Sequence, residues 1–171
     1  MADLVKLLHE SVETSYESIS EALEASVSGD ILTLLSDIEL NDRIIIANKT
    51  LTLDLAGYSI TSTAQNCAIY VDLSGNLTVK DTSAAQTGSI IHNSDSCIYV
   101  VNESDLTKKP VFTFESGTIQ AQEFGVCVFG GGIVNINGGT IIAKDNAAVG
   151  SNGSAKYADY PYEINISGGN I

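Results

Sequence analysis

The chain has 171 residues, of which 44% are hydrophobic and only 17% are charged, so its composition excludes intrinsic disorder and fits one elongated domain. Eight basic residues against 21 acidic residues give a net charge of −13, which argues against partners such as nucleic acids and acidic membrane surfaces. No run of eighteen apolar residues occurs, and polar residues interrupt the N-terminal segment, so the sequence predicts neither a membrane span nor a secretory signal.

The first predicted element is an N-terminal amphipathic arm, residues 1–14. Leu4, Val5, Leu7 and Leu8 fall at helical spacing and form its apolar face. A helix this short is marginal in water, so it either folds back on the rest of the chain or docks elsewhere. We predict that these four residues bind a partner protein.

Residues 15–28 are predicted to form a capping helix. Ser18 and Glu21 have the spacing of a capping box, and Ile19, Ala22 and Leu23 fall on one helix face. The strands predicted after it have an open end that must be covered. We therefore expect this helix to cover the N-terminal end of the core.

Residues 29–171 repeat a strand pattern. Residues 111–119 return as 133–141, an offset of 22 residues, with apolar, polar and glycine positions in register. Apolar and polar residues alternate with period two inside each copy, which indicates strands. The apolar-polar-apolar triplet is centred on Thr33, Thr52, Thr78, Thr113, Asn135 and Asn165.

Two further sides complete each turn of the repeat. The second begins at isoleucines that follow a glycine, and the third begins near residues 68, 97, 126 and 147. The sequence therefore predicts an all-β fold, a single-stranded parallel β-helix of about six coils with an N-terminal α-helical cap. The first side should stack two inward columns: Leu51, Leu77, Phe112, Val134 and Ile164, and beside them Leu53, Val79, Phe114, Ile136 and Ile166.

Three cysteines occur at intervals of 30 residues. Cys67, Cys97 and Cys127 each fall near the third side of a coil. This spacing predicts a buried column of free thiols, and the odd count is typical of synthesis in a reducing compartment.

Two coils carry insertions, residues 102–110 and 151–162, at the same corner. The second insertion contains Tyr157, Tyr160 and Tyr162. Exposed aromatic side chains on such loops bind sugar rings or anchor protein partners, so we predict a receptor or glycan site here. The alternative is that the tyrosines only fold the loop over the flank of the solenoid.

The charged residues do not form a catalytic constellation on any one face of the predicted fold. Asp54, Lys80 and Glu115 alternate in sign along one outward column, and Asp54 with Lys80 is expected to form an exposed ion pair. His9 and His92 each lack a second histidine or a carboxylate ladder in register. The sequence therefore predicts no catalytic residues, no metal site and no cofactor.

Three segments resemble the start of right-handed parallel β-helix domains of the pectate-lyase-like type: YESISEAL (16–23), GDILTLLSD (29–37) and LTLDLAGYSI (51–60). Such domains are common in bacteriophage appendages and bacterial surface proteins. The resemblance implies right-handed winding, but the fold hosts enzymes, adhesins and spacers alike.

Two functions remain open. We expect a non-enzymatic structural and adhesive module on a virion surface (a head fibre, capsid decoration or fibre stem), because a virion protein needs no secretory signal. Its arm would dock on a capsid or other virion protein, its last strand would be closed by further coils or by sister subunits in a trimer, and its loops would contact a host-surface glycan. The alternatives are a fragment of a polysaccharide lyase or glycoside hydrolase, and an adhesin on the bacterial cell surface.

Overall fold

In the computed structural model, which describes residues 2–153 and 155–171, the strands wind into a β-solenoid of about five turns. In chain order the elements are β1 (Val5–His9), β2 (Val12–Tyr16), α1 (Ile19–Ala25), β3 (Ile31–Leu34), β4 (Ile38–Leu40), β5 (Ile44–Ala47), β6 (Thr50–Asp54), β7 (Ser59–Ser62), β8 (Cys67–Asp72), β9 (Asn76–Lys80), β10 (Ser89–His92), β11 (Ser96–Val101), β12 (Val111–Phe114), β13 (Thr118–Ala121), β14 (Val126–Phe129), β15 (Ile133–Ile136), β16 (Thr140–Ala143), β17 (Val149–Gly150) and β18 (Glu163–Ile166).

Each full turn contributes one strand to each of three sheets, and the strands of successive turns pair in parallel. Sheet A has the order β18-β15-β12-β9-β6-β3-β1-β2, sheet B the order β16-β13-β10-β7-β4, and sheet C the order β17-β14-β11-β8-β5. In the described residues, sheet A holds six solenoid strands but sheets B and C hold five each, which is why the repeat gives about five turns where about six were predicted. The predicted parallel β-helix fold is confirmed.

The apolar columns of sheet A follow the predicted register. Leu51 pairs with Leu77, Leu77 with Phe112, and Phe112 with Val134, and the neighbouring column runs in the same way through Phe114. Both phenylalanines are fully buried, and their rings stack at 6.5 Å with an interplanar angle of 13°. These columns fill the interior of the solenoid as far as β15. At β18, the outermost strand of sheet A, the prediction fails: Ile164 is only half-buried and Ile166 is 55% exposed.

The first strand of the solenoid departs from the predicted register. Leu32 pairs with Leu53, whereas the triplet pattern placed it beside Leu51. A shift of two residues keeps the same side chains inside, so alternation alone does not detect it. Helix α1 fills the space beside Leu51, where its Ile19 and Leu23 lie close to the core residues of the first coils.

The N-terminal segment is a β-hairpin, and the helical prediction for it is wrong. β1 pairs antiparallel with both β2 and β3, so sheet A extends beyond the first coil. Leu4, Val5, Leu7 and Leu8 fit helical spacing, but a short apolar run also fits a strand, and the free edge of β3 offers backbone partners. The two added strands extend sheet A by about 9–10 Å beyond β3. This distance is close to the diameter of α1, which is roughly 10 Å.

The predicted capping helix is present as α1, which covers the N-terminal end of the core. Ser18 Oγ accepts a hydrogen bond from the backbone N–H of Glu21 at 3.2 Å, as the capping box requires. At the other end, Lys49 Nζ donates to the carbonyl oxygens of Leu23 and Ser26, both at 3.0 Å. A cation at this end also complements the helix dipole. No helix in the described residues is long and apolar enough to cross a membrane.

A candidate binding corner

The two insertions converge at the corner where the chain passes from sheet C to sheet A. Residues 102–110 follow β11, and residues 151–162 follow β17. Gly130 lies between them at a φ of +59°, and a Cβ atom there would come within 2.6 Å of the Asn102 carbonyl oxygen. We call these two insertions together the binding corner.

The first insertion is organised by one buried amide side chain. Asn102 is fully buried, and its Nδ2 donates to the carbonyl oxygens of Asp105 and Lys108, the latter at 2.9 Å. Its Oδ1 accepts from the backbone N–H of Asp105 at 3.0 Å. This loop therefore has a fixed shape.

Glu103 joins three coils through its carboxylate. Tyr70 on β8 donates its hydroxyl to Glu103 Oε2 at 3.1 Å, and Tyr157 in the second insertion donates to Oε1 at 2.8 Å. Burial, reinforced by this carboxylate, raises the pKa of both tyrosines, so both keep their protons at neutral pH. We call this arrangement the Glu103 bridge.

A second apolar cluster lies on the outer side of sheet C, beneath the binding corner. Its aromatic rings follow one another from coil to coil: Tyr70 to Tyr99 at 6.4 Å, Tyr99 to Phe129 at 6.2 Å, and Phe129 to Tyr157 at 5.0 Å between centroids. The guanidinium of Arg43 lies 4.7 Å from the centre of the Tyr70 ring. The insertions are therefore packed against the solenoid.

The three tyrosines of the second insertion occupy different environments. Tyr157 is 8% exposed and packs on Phe129, so it folds the loop over the flank as the alternative interpretation held. Tyr160 and Tyr162 are 37% and 45% exposed. They border an open cleft of about 220 Å³, the aromatic cleft, which is lined by Phe129, Gly130, Ser151, Gly153, Tyr157, Ala158, Tyr160, Pro161 and Tyr162.

The residues predicted to bind a partner through the N-terminal arm are largely occupied within the chain. Val5 and Leu7 are buried in the main core, and Leu4 and Leu8 are half-buried. On β2, the outermost strand of sheet A, Val12 is 64% exposed. Contact with a capsid protein through Leu4, Val5, Leu7 and Leu8 stays a prediction.

The carboxylates considered for catalysis bind backbone amides. Asp54 is only 6% exposed and accepts hydrogen bonds from Ala56 N and Thr82 N, so the predicted exposed ion pair with Lys80 is wrong. The chain turns after β6 and after β9, so the backbone N–H groups of Ala56 and of Thr82 on the next coil point at this carboxylate.

Asp81, which the sequence analysis did not single out, has the same role. Burial would raise its pKa, but hydrogen bonds from the backbone N–H groups of Ser83, Gly88 and Gly57 hold the pKa below its usual value. In the described residues, no three His, Cys, Asp or Glu side chains lie close enough to hold a metal ion.

The three cysteines are buried and free, but they do not form one column. Cys67 pairs with Ser96 and Cys127 with Tyr99, and both belong to the outer cluster, whereas Cys97 belongs to the main core. Burial raises the pKa of Cys67 and Cys97 to about 12 and that of Cys127 to about 11. At neutral pH these thiols stay protonated and unreactive.

The sequence analysis missed Asn102 and Glu103, which organise the binding corner. They are the first two residues after β11, at the start of the first insertion. An asparagine at that point with an aspartate three residues later is a signal for a side-chain-capped turn. Nothing in the sequence indicates that Glu103 meets Tyr70 and Tyr157.

Comparisons of the chain with protein-family models, curated proteins and solved structures found no match. Of the predicted pectate-lyase-like β-helix, the structure shows the parallel β-solenoid, and no match confirms the family.

Proposed function

We propose that this chain is a non-enzymatic structural and adhesive module, in which a β-solenoid stem presents binding loops at one corner. The observation that carries the proposal is the Glu103 bridge, which locks loops from separate coils together and leaves Tyr160 and Tyr162 exposed. Function in β-solenoids concentrates on such loops, because the repeated strands supply a rigid support. A preorganised loop loses little conformational entropy when it binds.

The use of the carboxylates supports a non-enzymatic role. Hydrolases and lyases need carboxylates that are free to move a proton or bind calcium. Here the buried carboxylates of Asp54 and Asp81 accept several hydrogen bonds from neighbouring residues, and these bonds close turns.

The setting we propose is a bacteriophage virion, as a head fibre, capsid decoration or fibre stem, with the bacterial cell surface as the alternative. The support is the resemblance of residues 16–60 to the opening of β-helix domains in such proteins. Within this setting the outer edge of β2 would meet a virion protein, and three copies would form the stem. The binding corner would face the host surface.

The proposal is tested by incubating the purified chain with a panel of acidic and neutral bacterial polysaccharides, with and without calcium. We expect binding to at least one surface polysaccharide, seen by co-sedimentation, and no new reducing ends or unsaturated products. Turnover of any polysaccharide would support the carbohydrate-active enzyme instead. Absence of binding to every polysaccharide and to whole cells would overturn the adhesive part.

A further inference from the structure

The aromatic cleft has the chemistry of a site for an uncharged sugar. We propose that it binds one neutral pyranose ring of a surface polysaccharide, with Tyr160 and Tyr162 as the contacting side chains. This inference rests on the proposed adhesive function and names the ligand class of its site.

The floor and the walls of the cleft provide apolar surface of the right kind. Phe129 and Tyr157 lie in the floor with ring centroids 5.0 Å apart, and Tyr160, Pro161 and Tyr162 form the rim. The C–H groups on one face of a pyranose form an apolar patch that packs on aromatic rings, while its hydroxyls need polar partners. An aromatic lining therefore suits a sugar ring laid flat.

The rim is held in position before any ligand arrives. The carbonyl oxygen of Tyr160 accepts a hydrogen bond from Gly131 N at 3.1 Å, and Tyr160 N donates to the Tyr157 carbonyl oxygen at 2.9 Å. Tyr157 is itself fixed by the Glu103 bridge. Binding then requires little ordering of the loop, which matters for a ligand as small as one sugar ring.

Polar groups for the sugar hydroxyls are available at the rim. In the part of the chain that the structure describes, the hydroxyls of Tyr160 and Tyr162 make no hydrogen bond to another residue. A tyrosine hydroxyl both donates and accepts, so each can pair with a sugar hydroxyl. Each tyrosine therefore offers an apolar ring to the C–H face of the sugar and a hydroxyl to the hydroxyls of the sugar.

Charge and size select the ligand class. Among the described residues that line the cleft, none is acidic or basic, and the net charge of −13 repels uronic acids and other anionic sugars. The volume of about 220 Å³ is below the range of about 300–1,000 Å³ that larger ligands occupy. A single ring fits this space better than an extended peptide.

The test uses the full chain, the double variant Tyr160→Ala/Tyr162→Ala, and the control Tyr58→Ala, which removes an exposed tyrosine at a different corner of the solenoid. The probes are neutral oligosaccharides of glucose, galactose and mannose, an oligogalacturonate, and a polyproline peptide, each titrated calorimetrically. We expect at least one neutral oligosaccharide to bind, with affinity about tenfold weaker in the double variant and unchanged in the control.

The other outcomes overturn the inference and separate it from the proposed function. Equal binding of neutral sugar by the double variant would place the site elsewhere, while adhesion itself would stand. Binding of oligogalacturonate or polyproline that is lost in the double variant would assign the cleft to an anionic sugar or to a peptide. If the chain binds whole cells but none of the neutral probes, the ligand class is wrong; if it binds no cells, the adhesive function fails.

Discussion

The Tyr157 hydroxyl lies 2.8 Å from Glu103 Oε1, although 54 residues separate the two in sequence. The same carboxylate accepts the Tyr70 hydroxyl through its other oxygen. One side chain therefore fixes the second insertion to the outer face of sheet C. The shape of the binding corner depends on this contact.

Tyr157→Phe should loosen the second insertion without unfolding the solenoid. The variant keeps the ring on Phe129 but removes the donor to Glu103, so we expect a loss of roughly 1 kcal/mol in unfolding free energy. Hydrogen exchange of residues 155–160 should become faster, while exchange in sheet A stays unchanged. The control is Tyr162→Phe, because the Tyr162 side chain is exposed; equal protection in both variants would contradict the role of the bridge.

Phe114→Ala should destabilise the solenoid strongly. Phe114 is fully buried beside Phe112, and truncation leaves a cavity that the stacked coils cannot close, so we expect a cost of about 3–5 kcal/mol. Denaturant unfolding measures this cost. Ile142→Ala serves as the control, because Ile142 is 45% exposed and should cost less than about 0.5 kcal/mol. Similar stabilities for the two variants would mean that the core is assigned wrongly.

Leu7→Ala distinguishes a hairpin built into sheet A from a free arm. Leu7 is only 4% exposed and pairs with Leu32 across β1 and β3, so its truncation should cost about 2–5 kcal/mol. Val12→Ala on the outer strand should stay within about 0.5 kcal/mol. If Leu7→Ala melts at the same temperature as the unsubstituted chain, the N-terminal segment is a free arm and not part of sheet A.

The attachment of the hairpin should depend on pH through His9 and Asp30, whose Nδ1 and Oδ1 atoms lie 2.7 Å apart. The hydrogen bond that the protonated His9 ring donates to the Asp30 carboxylate raises the pKa of His9 above 6.5. For Asp30, burial alone would raise the pKa, but hydrogen bonds from Val27 N and His9 outweigh it and bring the pKa below 3.8.

The histidine contribution is complete below pH 6.5 and is lost as the pH rises through the raised pKa. The aspartate contribution is present above pH 3.8 and is lost as the pH falls through the lowered pKa. We therefore expect a higher melting temperature at about pH 5.5 than at about pH 8.5, and a smaller difference in His9→Gln. An identical difference in this variant would exclude His9 as the cause.

The three thiols should resist alkylation in the folded chain. Iodoacetamide reacts with thiolates, and the raised pKa values of Cys67, Cys97 and Cys127 leave very little thiolate at about pH 8. Mass spectrometry should show no labelled cysteine in the native chain and three in urea. Tyr58→Cys at an exposed position should label once in the native state, and labelling of the native unsubstituted chain would contradict the burial.

Alternation in the sequence was sufficient to predict the core of sheet A. Inward residues such as Leu77 and Phe112 repeat with period two in strands bounded by turns, and a slip of one residue would turn all of them outward. The cysteines show where equal spacing fails. Ile69 pairs with Ile98, and Ile98 pairs with Val126, so successive coils in sheet C are 29 and then 28 residues long. Because the cysteines are 30 residues apart, each one lies out of register with the cysteine before it.

The hairpin and the binding corner depend on contacts that local sequence patterns do not contain. The β1 segment could form a helix turn or a strand until the free edge of β3 is placed beside it. Glu103 meets Tyr157 only because two turns of the solenoid bring their loops to one corner. Such pairings between distant loops follow from the completed fold.

The Glu103 bridge also has a mechanical consequence. A solenoid pulled from its ends comes apart coil by coil, because each coil contacts only its neighbours. Here the side chains of Tyr70, Glu103 and Tyr157 tie the second and third coils to the loop before β18, and they pass over the coil that contains β14. Tension on β18 must therefore break this cross-link before the coils beneath it can peel away, so the solenoid should resist unfolding by force from this end.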